Sequence, residues 1–254
     1  MSDQPCAIVT GATSGIGRAA ALRLAQEGLA VVAVGRNRAA LDEIEAQLAQ
    51  AGSPGASVQA DVVAADAPDR IVAAAVERFG GIDALVNAAG IIASGALQET
   101  DDAGWDRMMD INVRAPFRLM RAAATHLVAR RGAVVNVSSV AGLRSFPGIL
   151  SYAVSKAAVD QLTRCAALDL APRGVRVNAV NPGVVVTELH RRGGMNEEQY
   201  AAFLARTKDT HPLGRPGTVG EIAELIAFLA SSRSAWITGE TIAIDGGRHL
   251  TCAR

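Results

Sequence analysis

Short apolar runs alternate with amphipathic stretches along the chain. Runs such as residues 6–10, 30–34 and 133–137 are rich in alanine and β-branched residues, which predicts buried strands. Between them, apolar residues recur every three or four positions, which predicts helices. This alternation favours an α/β fold, a doubly wound parallel sheet covered by helices on both faces. Four further strands are predicted at 56–60, 82–86, 175–180 and 240–244.

The chain length favours a single domain. With 254 residues, 50% of them hydrophobic, the chain can bury a sizeable core and is expected to form one domain over 1–254. The segment 188–208 mixes charges with Met195, Tyr200 and Phe203 and contains Gly193 and Gly194. It is interpreted as a mobile substrate flap over an apolar pocket. Plain helix packing of its aromatic residues is an equally good interpretation.

Charge and cysteine content exclude several classes of protein. The 25 basic and 25 acidic residues balance, so neither nucleic acid nor an anionic membrane is an expected partner. The first residues lack a positively charged region and polar residues interrupt the apolar windows, so no signal peptide or membrane span is expected. Cys6, Cys165 and Cys252 are too scattered for a disulfide framework or a metal site. A reducing, cytoplasmic location is the natural expectation.

A glycine-rich turn joins the first predicted strand to the first helix, with the pattern Thr-Gly-x-x-x-Gly-x-Gly over residues 10–17. Glycines allow a tight reversal and a close approach of the backbone to a pyrophosphate, and the helix N-terminus offers unpaired N–H groups. The alternative is a turn that only connects two elements. The cofactor-binding residues predicted in this turn are Gly11, Thr13, Ser14, Gly15, Ile16 and Gly17.

Two neighbouring strand ends bear on the choice of dinucleotide. Arg36 follows the second strand, where a carboxylate would accept hydrogen bonds from a free ribose 2′-hydroxyl. Arg36, with Arg38 nearby, can instead pair with a 2′-phosphate, so NADP(H) is preferred and NAD(H) is the alternative. Arg36 as a solvated loop cation is the other interpretation. Asp61, followed by Val62, is predicted either to accept from the adenine amino group or to cap a turn.

Small residues follow two other strands. Asn87, Ala89 and Gly90 end the fourth strand, where small side chains let a flat ring or a ribose lie against the backbone. After the sixth strand, exposed backbone and a threonine hydroxyl are predicted to bind a carboxamide such as that of nicotinamide. The residues predicted there are Pro182, Gly183, Val185 and Thr187.

The segment 138–156 carries the candidate chemistry. Ser139 follows the fifth strand, and Tyr152 and Lys156 lie one turn apart on a helix for which Ser151 is a candidate N-cap. A nearby ammonium lowers the pKa of a phenol from its usual value of about 10, and a serine hydroxyl orients a carbonyl oxygen beside that phenol. The alternative is a chance pair, with a half-buried tyrosine and a solvated lysine.

Asn112 lies in a predicted helix that contains Pro116. A proline inside a helix removes one hydrogen bond and frees a carbonyl about one turn earlier, near Asn112. The asparagine is therefore either a residue of the helix distortion without a catalytic part, or the anchor of a water that leads to Lys156.

The chain resembles the short-chain dehydrogenase/reductase family over essentially its whole length. The resemblance implies a Rossmann-type sheet of about seven parallel strands and a homotetramer. It also implies that Tyr152 is the acid and base, that Lys156 lowers its pKa and holds the nicotinamide ribose, that Ser139 orients the carbonyl, and that Asn112 carries a relay water. Ala88 departs from the family pattern, Asn-Asn-Ala-Gly, by replacing a tethering asparagine. The matching positions are Thr10, Gly11, Gly15, Gly17, Asp61, Asn87, Ala89, Gly90, Asn112, Ser139, Tyr152, Lys156, Pro182, Gly183 and Thr187.

These residues predict an NADP(H)-dependent oxidoreductase that interconverts a carbonyl and a secondary alcohol, similar to 3-oxoacyl carrier-protein reductases. One alternative is an NAD(H)-dependent sugar or polyol dehydrogenase of the same family; another is a non-catalytic dinucleotide-binding regulatory protein. A dehydratase or epimerase is disfavoured because no long C-terminal substrate domain follows. The substrate is expected to be a small molecule, with Arg144, His190, Arg191 and Arg192 as candidate contacts.

Overall fold

The computed structural model describes residues 4–251 and forms one seven-stranded sheet. All neighbouring strands are parallel, in the order β3-β2-β1-β4-β5-β6-β7. The predicted doubly wound parallel sheet is confirmed. The strands are Cys6–Thr10 (β1), Ala30–Gly35 (β2), Gly55–Gln59 (β3), Ala84–Asn87 (β4), Ala133–Val137 (β5), Arg176–Pro182 (β6) and Thr241–Ile244 (β7).

Helices connect successive strands and cover both faces of the sheet. The longer ones are Gly15–Gln26 (α1), Arg38–Gln50 (α2), Ala67–Phe79 (α3), Asp102–Met109 (α4), Ala115–Arg130 (α5), Leu150–Leu170 (α7), Glu197–Ala205 (α9) and Val219–Ala230 (α11). Single-turn α-helices lie at Val140–Leu143 (α6), Leu189–Arg192 (α8) and Thr207–Thr210 (α10).

Two apolar cores hold these layers together. The β1 and β2 strands are buried along their whole length because helices pack on both faces, as expected for a parallel sheet. One core packs Ile71 of α3 and Leu127 of α5 against the sheet. The other packs Leu24 of α1 and Ile226 of α11 against the opposite face. The single-domain α/β architecture follows from this arrangement.

The strand order places a crevice between β1 and β4. From β1 the chain winds outward to β2 and β3, whereas from β4 it winds the other way to β7. Ligands of doubly wound sheets bind at the carboxyl ends of the strands where the winding reverses, because the connections diverge there and leave a gap. The segments after β1, β4, β5 and β6, which contain most of the predicted site residues, all emerge at this edge.

The helix around Asn112 is distorted, as Pro116 predicts: residues Asp110–Arg114 form a π-helical turn between α4 and α5, and Pro116 lies in the first turn of α5. Because the helix runs through this turn without a break, the N–H that proline lacks would have met a carbonyl about one turn earlier. One local prediction was wrong. Ser151 is not an N-cap, because α7 begins at Leu150 with Ile149 as the capping residue.

Within residues 4–251, no helix is long and apolar enough to cross a bilayer. The same range contains no cluster of three or more histidine, cysteine or acidic residues arranged to hold a metal ion. Cys6 is a buried free thiol and Cys165 an exposed one. The third cysteine of the sequence, Cys252, lies outside the described residues.

Candidate active site

A cleft of about 760 Å³ crosses the carboxyl edge of the sheet. Its volume is in the range of small-molecule sites, about 300–1,000 Å³. Of the predicted catalytic and cofactor-binding residues, only Asn87 and Asn112 lie outside its wall, and of the candidate substrate contacts, Arg144 and Arg191 do. The predicted residues that line it are Gly11, Thr13, Ser14, Gly15, Ile16, Gly17, Arg36, Asp61, Val62, Ala89, Gly90, Ser139, Tyr152, Lys156, Pro182, Gly183, Val185 and Thr187.

The glycine turn packs too tightly for side chains. Gly11 has a φ of +67°, and a Cβ there would lie 2.9 Å from the backbone N of Ala89. A Cβ on Gly17 would collide with Gly11 O. Ser14 is the N-cap of α1, yet its side chain makes no capping hydrogen bond to the helix. The first N–H groups of α1 therefore face the cleft without a side-chain acceptor, and this cradle fits a dinucleotide phosphate.

Thr10 ties the glycine turn to the loop after β4. Its Oγ1 accepts hydrogen bonds from the backbone N–H groups of Ala88 and Ala89, at 3.0 and 3.1 Å. Asn87 lies behind this loop and donates to Asn136 Oδ1 at 2.8 Å. Asn87 therefore joins β4 to β5 instead of lining the cleft. Ala88 has no side-chain amide to tether this loop, but its backbone N–H still binds Thr10 Oγ1.

The adenosine end of the cleft contains one available arginine. The Arg36 side chain is 67% exposed, and its Nη1 lies 4.0 Å from Asp61 Oδ2, a weak surface pair. Arg38 is unlike Arg36, because it forms ion pairs with Asp42 and Glu45 along α2. The predicted assistance from Arg38 is thus not supported by its contacts, whereas Arg36 makes only the one weak pair with Asp61.

Ser139, Tyr152 and Lys156 meet at the centre of the cleft. Ser139 caps α6, with its Oγ accepting from Ala141 N at 3.1 Å. Tyr152 and Lys156 lie one turn apart on α7 and are only 7% and 6% exposed. Lys156 Nζ donates to Val137 O at 2.9 Å and lies 5.6 Å from the centroid of the Tyr152 ring. Neither side chain is the solvated surface group of the chance alternative.

Burial dominates the electrostatics of this pair. It raises the pKa of Tyr152, although a hydrogen bond from Ser139 opposes the rise by stabilising the phenolate. The sequence predicted a lowered pKa of Tyr152, with Lys156 as the cause. For the protein without a bound dinucleotide, that expectation is wrong. The pKa of Lys156 is itself lowered to about 8 by burial, against the attraction of Asp160. Lys156 is therefore still mainly an ammonium at neutral pH.

Asn112 lies behind Gly90 and next to Lys156. Its Oδ1 accepts from Ile91 N at 2.9 Å, and its Nδ2 donates to Ile91 O and to Ser155 Oγ, each at 3.0 Å. A Cβ on Gly90 would lie 3.3 Å from Asn112 Oδ1 and 3.6 Å from Lys156 Nζ. Asn112 thus holds the loop after β4 in place, and the relay role is a separate proposal.

A buried pair that was missing from the sequence prediction supports Ser139. Asn181 Nδ2 donates to Ser139 O at 2.9 Å and to both carboxylate oxygens of Asp160, at 3.1 and 2.9 Å. Asp160 is 1% exposed, and burial raises its pKa. The signal was present: Asp160 follows Lys156 by four residues and so lies on the same helix face.

The loop after β6 is held from two sides. Val184 N donates to His211 Nε2 at 3.3 Å, which requires that nitrogen to be unprotonated. Thr187 N donates to Tyr200 Oη at 3.1 Å, and the Tyr200 hydroxyl donates to Thr187 O at 2.9 Å. Tyr200 is 2% exposed. This aromatic residue of the flap segment is therefore a packing residue, as the alternative interpretation held.

Beyond Tyr152 the cleft wall is mainly apolar. His190 also lines it, with its ring 4.5 Å from that of Phe203, and burial lowers its pKa. Arg144 does not line the cleft but donates to the carbonyls of Arg248 and His249. The apolar side chains in this part of the wall are Ile91, Ile92, Phe146, Ile149, Leu189, Met195 and Phe203.

Comparisons with known proteins agree with this arrangement. A family model described as enoyl-(acyl carrier protein) reductase matches residues 11–249. The chain is 40% identical over 253 residues to the short-chain reductase protein NovJ of Streptomyces niveus, covering 98% of this chain and 95% of that protein. It is 38% identical over 250 residues to the 3-oxoacyl-[acyl-carrier-protein] reductase FabG of Staphylococcus aureus, covering 96% and 98%. A crystal structure of a Caenorhabditis elegans short-chain dehydrogenase/reductase with cofactor has a TM-score of 0.90 at 37% identity, covering 98% of this chain and 96% of that chain.

The parallel sheet, the glycine turn at its crevice and the buried tyrosine–lysine pair define a dinucleotide-dependent oxidoreductase. With matches over nearly its whole length, the chain belongs to the short-chain dehydrogenase/reductase family. It is an enzyme that acts on CH–OH or carbonyl groups of a small-molecule substrate with an NAD(P) dinucleotide.

Proposed function

We propose that the protein is an NADP(H)-dependent reductase of an apolar ketone or 3-oxoacyl compound, reversible to the secondary alcohol. The observation that carries the proposal is the meeting of Ser139, Tyr152 and Lys156 in one cleft with the glycine turn. The relatives named as reductases, among them a 3-oxoacyl carrier-protein reductase, support the same reaction. A non-catalytic regulatory protein would have no use for this set of buried polar groups.

The proposed chemistry divides one reaction between the dinucleotide and the protein. When bound, NADPH supplies a hydride to the carbonyl carbon, and NADP⁺ accepts one in the reverse direction. Tyr152 gives its hydroxyl proton to the carbonyl oxygen while the Ser139 hydroxyl donates a hydrogen bond to the same oxygen. The Lys156 ammonium stabilises the phenolate left behind. Asn112 beside Lys156 is the proposed anchor of a water that returns the proton.

The lining of the cleft favours an apolar substrate over a sugar or polyol. Each sugar hydroxyl that enters a site must find a polar partner, since an unmade hydrogen bond costs about 1–3 kcal/mol. The wall beyond Tyr152 offers mainly aliphatic, aromatic and thioether side chains. The same cleft also contains the polar side chains of Ser94, Arg107, Glu188, His190 and Arg248. The flap, residues 188–208, supplies Leu189, Met195 and Phe203 to this wall, so we propose that it closes over the substrate.

A substrate panel tests this function. Purified protein would be assayed with apolar ketones, 3-oxoacyl thioesters and sugar alcohols, each with NADPH or NADP⁺ and with NADH or NAD⁺, by absorbance of the reduced nicotinamide. We expect turnover of ketones or 3-oxoacyl thioesters with NADPH. Turnover confined to sugar alcohols with NAD⁺ would instead establish the polyol dehydrogenase. Dinucleotide binding without turnover of any compound would contradict the proposal.

The preference for NADP(H) depends on Arg36 and has its own test. Replacing Arg36 by alanine is expected to raise the Kd of NADPH about 10-fold or more, because a charged hydrogen-bond pair contributes about 1.5–3 kcal/mol. The Kd of NADH, which has no 2′-phosphate, is expected to be unchanged. Both constants can be measured by titrating nicotinamide fluorescence. Equal weakening of NADPH and NADH would contradict the 2′-phosphate assignment.

A homotetramer is also proposed, as the resemblance to the family implies. Apolar side chains stay exposed on α5 and α7, where Phe117, Val154 and Leu168 are 43%, 40% and 78% exposed. Exposed apolar residues of this size on neighbouring helices suit contact with a second copy of the chain. The cytoplasmic location and the absence of nucleic-acid and membrane partners stay predictions.

A further inference from the structure

Arg192 extends from α8 to the glycine turn. Its Nη1 donates a hydrogen bond of 3.0 Å to Ser14 Oγ, across 178 positions of sequence. Arg192 lines the same cleft as Gly15 and Gly17. The contact therefore joins the flap to the part of the cleft that is shaped for phosphate.

The charge of Arg191 is neutralised by carboxylates, whereas that of Arg192 is not. Arg191 forms ion pairs with Glu188 at 2.9 Å and Glu197 at 2.6 Å, and its guanidinium lies 4.0 Å from the centroid of the Tyr200 ring. Among residues 4–251, Arg192 makes no ion pair, and its hydrogen bond goes to a neutral hydroxyl. A guanidinium with free donors at a cleft wall is suited to bidentate binding of a phosphate.

The positive charge around Ser14 also favours binding of an anion. The first turn of α1 contains no acidic residue, and the Ser14 side chain does not cap the helix. The N-terminal N–H groups of a helix carry a partial positive charge, equivalent to about half an elementary charge. That charge and the Arg192 guanidinium converge on one region of the cleft. Glu188, the N-cap residue of α8, also lines the cleft, but its carboxylate is paired with Arg191. Two positive groups so placed bind a shared anion better than they bind water.

We propose that Arg192 binds the pyrophosphate of the dinucleotide and so holds the flap over the cleft. This inference rests on the proposed function. It adds to that function because Leu189 and His190, which also line the cleft, lie on the same four-residue helix as Arg192. A phosphate contact at Arg192 therefore positions part of the substrate wall, and dinucleotide binding prepares the site for the carbonyl compound.

The test separates the pyrophosphate from the 2′-phosphate. NADPH, NADH and adenosine 2′-monophosphate, which lacks a pyrophosphate, would be titrated calorimetrically against wild type and Arg192→Ala. We expect the Kd of both dinucleotides to rise about 10-fold or more, as for loss of a charged hydrogen bond, and that of the monophosphate to be unchanged. Lys208→Ala is the control, because this substitution also removes one positive charge. Lys208 is exposed in α10 and does not line the cleft.

A second variant distinguishes a phosphate contact from a purely internal one. In a Ser14→Ala background, Arg192→Ala should still weaken both dinucleotides if the guanidinium binds phosphate. If Arg192 acts only by holding Ser14, the second substitution will have no further effect, and the inference is overturned. Unchanged dinucleotide affinity in Arg192→Ala overturns it as well. Failure of the wild type to bind either dinucleotide would overturn the proposed function itself, which is a different result.

Closure of the flap has a readout that does not depend on turnover. Chymotrypsin cleaves after aromatic residues such as Phe203, which lies in the flap. NADPH is expected to slow this cleavage in the wild type and in Lys208→Ala, but to protect Arg192→Ala much less at the same fractional saturation. Equal protection of the Arg192 variant would show that the guanidinium does not hold the flap and would overturn that part of the inference.

Discussion

Replacing Tyr152 by phenylalanine is expected to lower kcat about 10²–10⁴-fold, the usual contribution of a positioned general acid. The hydroxyl is the group proposed to protonate the carbonyl oxygen, and a phenylalanine ring has no proton to donate in its place. The measurement is steady-state turnover of whichever carbonyl compound the substrate panel identifies.

The same substitution should leave the fold and the dinucleotide affinity intact. Phenylalanine keeps the buried ring, so the thermal unfolding midpoint and the Kd of NADPH should match those of the wild type. The other tyrosine of the chain provides a matched control. Tyr200→Phe also removes one hydroxyl, but that hydroxyl binds the backbone of Thr187, so the effect should fall on the Kd and not on kcat. Wild-type kcat in Tyr152→Phe would refute the acid–base assignment.

A single methyl group at Gly17 is expected to abolish most dinucleotide binding. Its Cβ would collide with Gly11 O and lie 2.7 Å from Gly11 C, and both are backbone atoms that cannot rotate away. Either α1 or the glycine turn must shift, which would misplace the N–H groups at the start of the helix. Loss of one such charged hydrogen bond weakens binding about 10- to 100-fold. Overpacking should also lower the free energy of unfolding by about 1–3 kcal/mol.

Gly220→Ala is the matched control for Gly17→Ala. Gly220 also lies near the start of a helix, α11, but the nearest atom to its Cβ would be Thr218 Oγ1 at 3.9 Å. Alanine there should leave binding unchanged and stabilise the helix by about 0.5–1 kcal/mol. The two variants would be compared by calorimetric titration with NADPH and by chemical unfolding. Normal NADPH affinity in Gly17→Ala would show that the cradle tolerates the shift and would contradict its assigned role.

Local patterns were sufficient to predict the architecture. Most strands are short apolar runs and most long helices have an amphipathic repeat, so the order of elements could be read from neighbouring residues. The glycine turn and the Tyr152–Lys156 spacing are also local, because the residues of each lie within a few positions of one another. The helix around Asn112 was less predictable: a proline signals a distortion, but only packing selected a π-helical turn.

The flap shows where local patterns stop being informative. Its composition allowed its aromatic residues either to pack or to line a pocket. In the structure, one does each. Tyr200 is buried against the loop at Thr187, whereas Phe203 lines the cleft. The two arginines of α8 are adjacent in sequence and similar in composition, yet one is held by carboxylates and the other reaches Ser14.

The sequence by itself determined the α/β alternation, the glycine turn and the pairing of a phenol with a lysine on one helix face, because each depends on residues a few positions apart. Only the tertiary structure decided the raised pKa of Tyr152, the Asp160–Asn181 support of Ser139 and the contact of Arg192 with the glycine turn. These depend on burial and on residues that are distant in sequence. Neither the burial of a side chain nor a contact between distant residues is specified until the sheet brings its loops together at one edge.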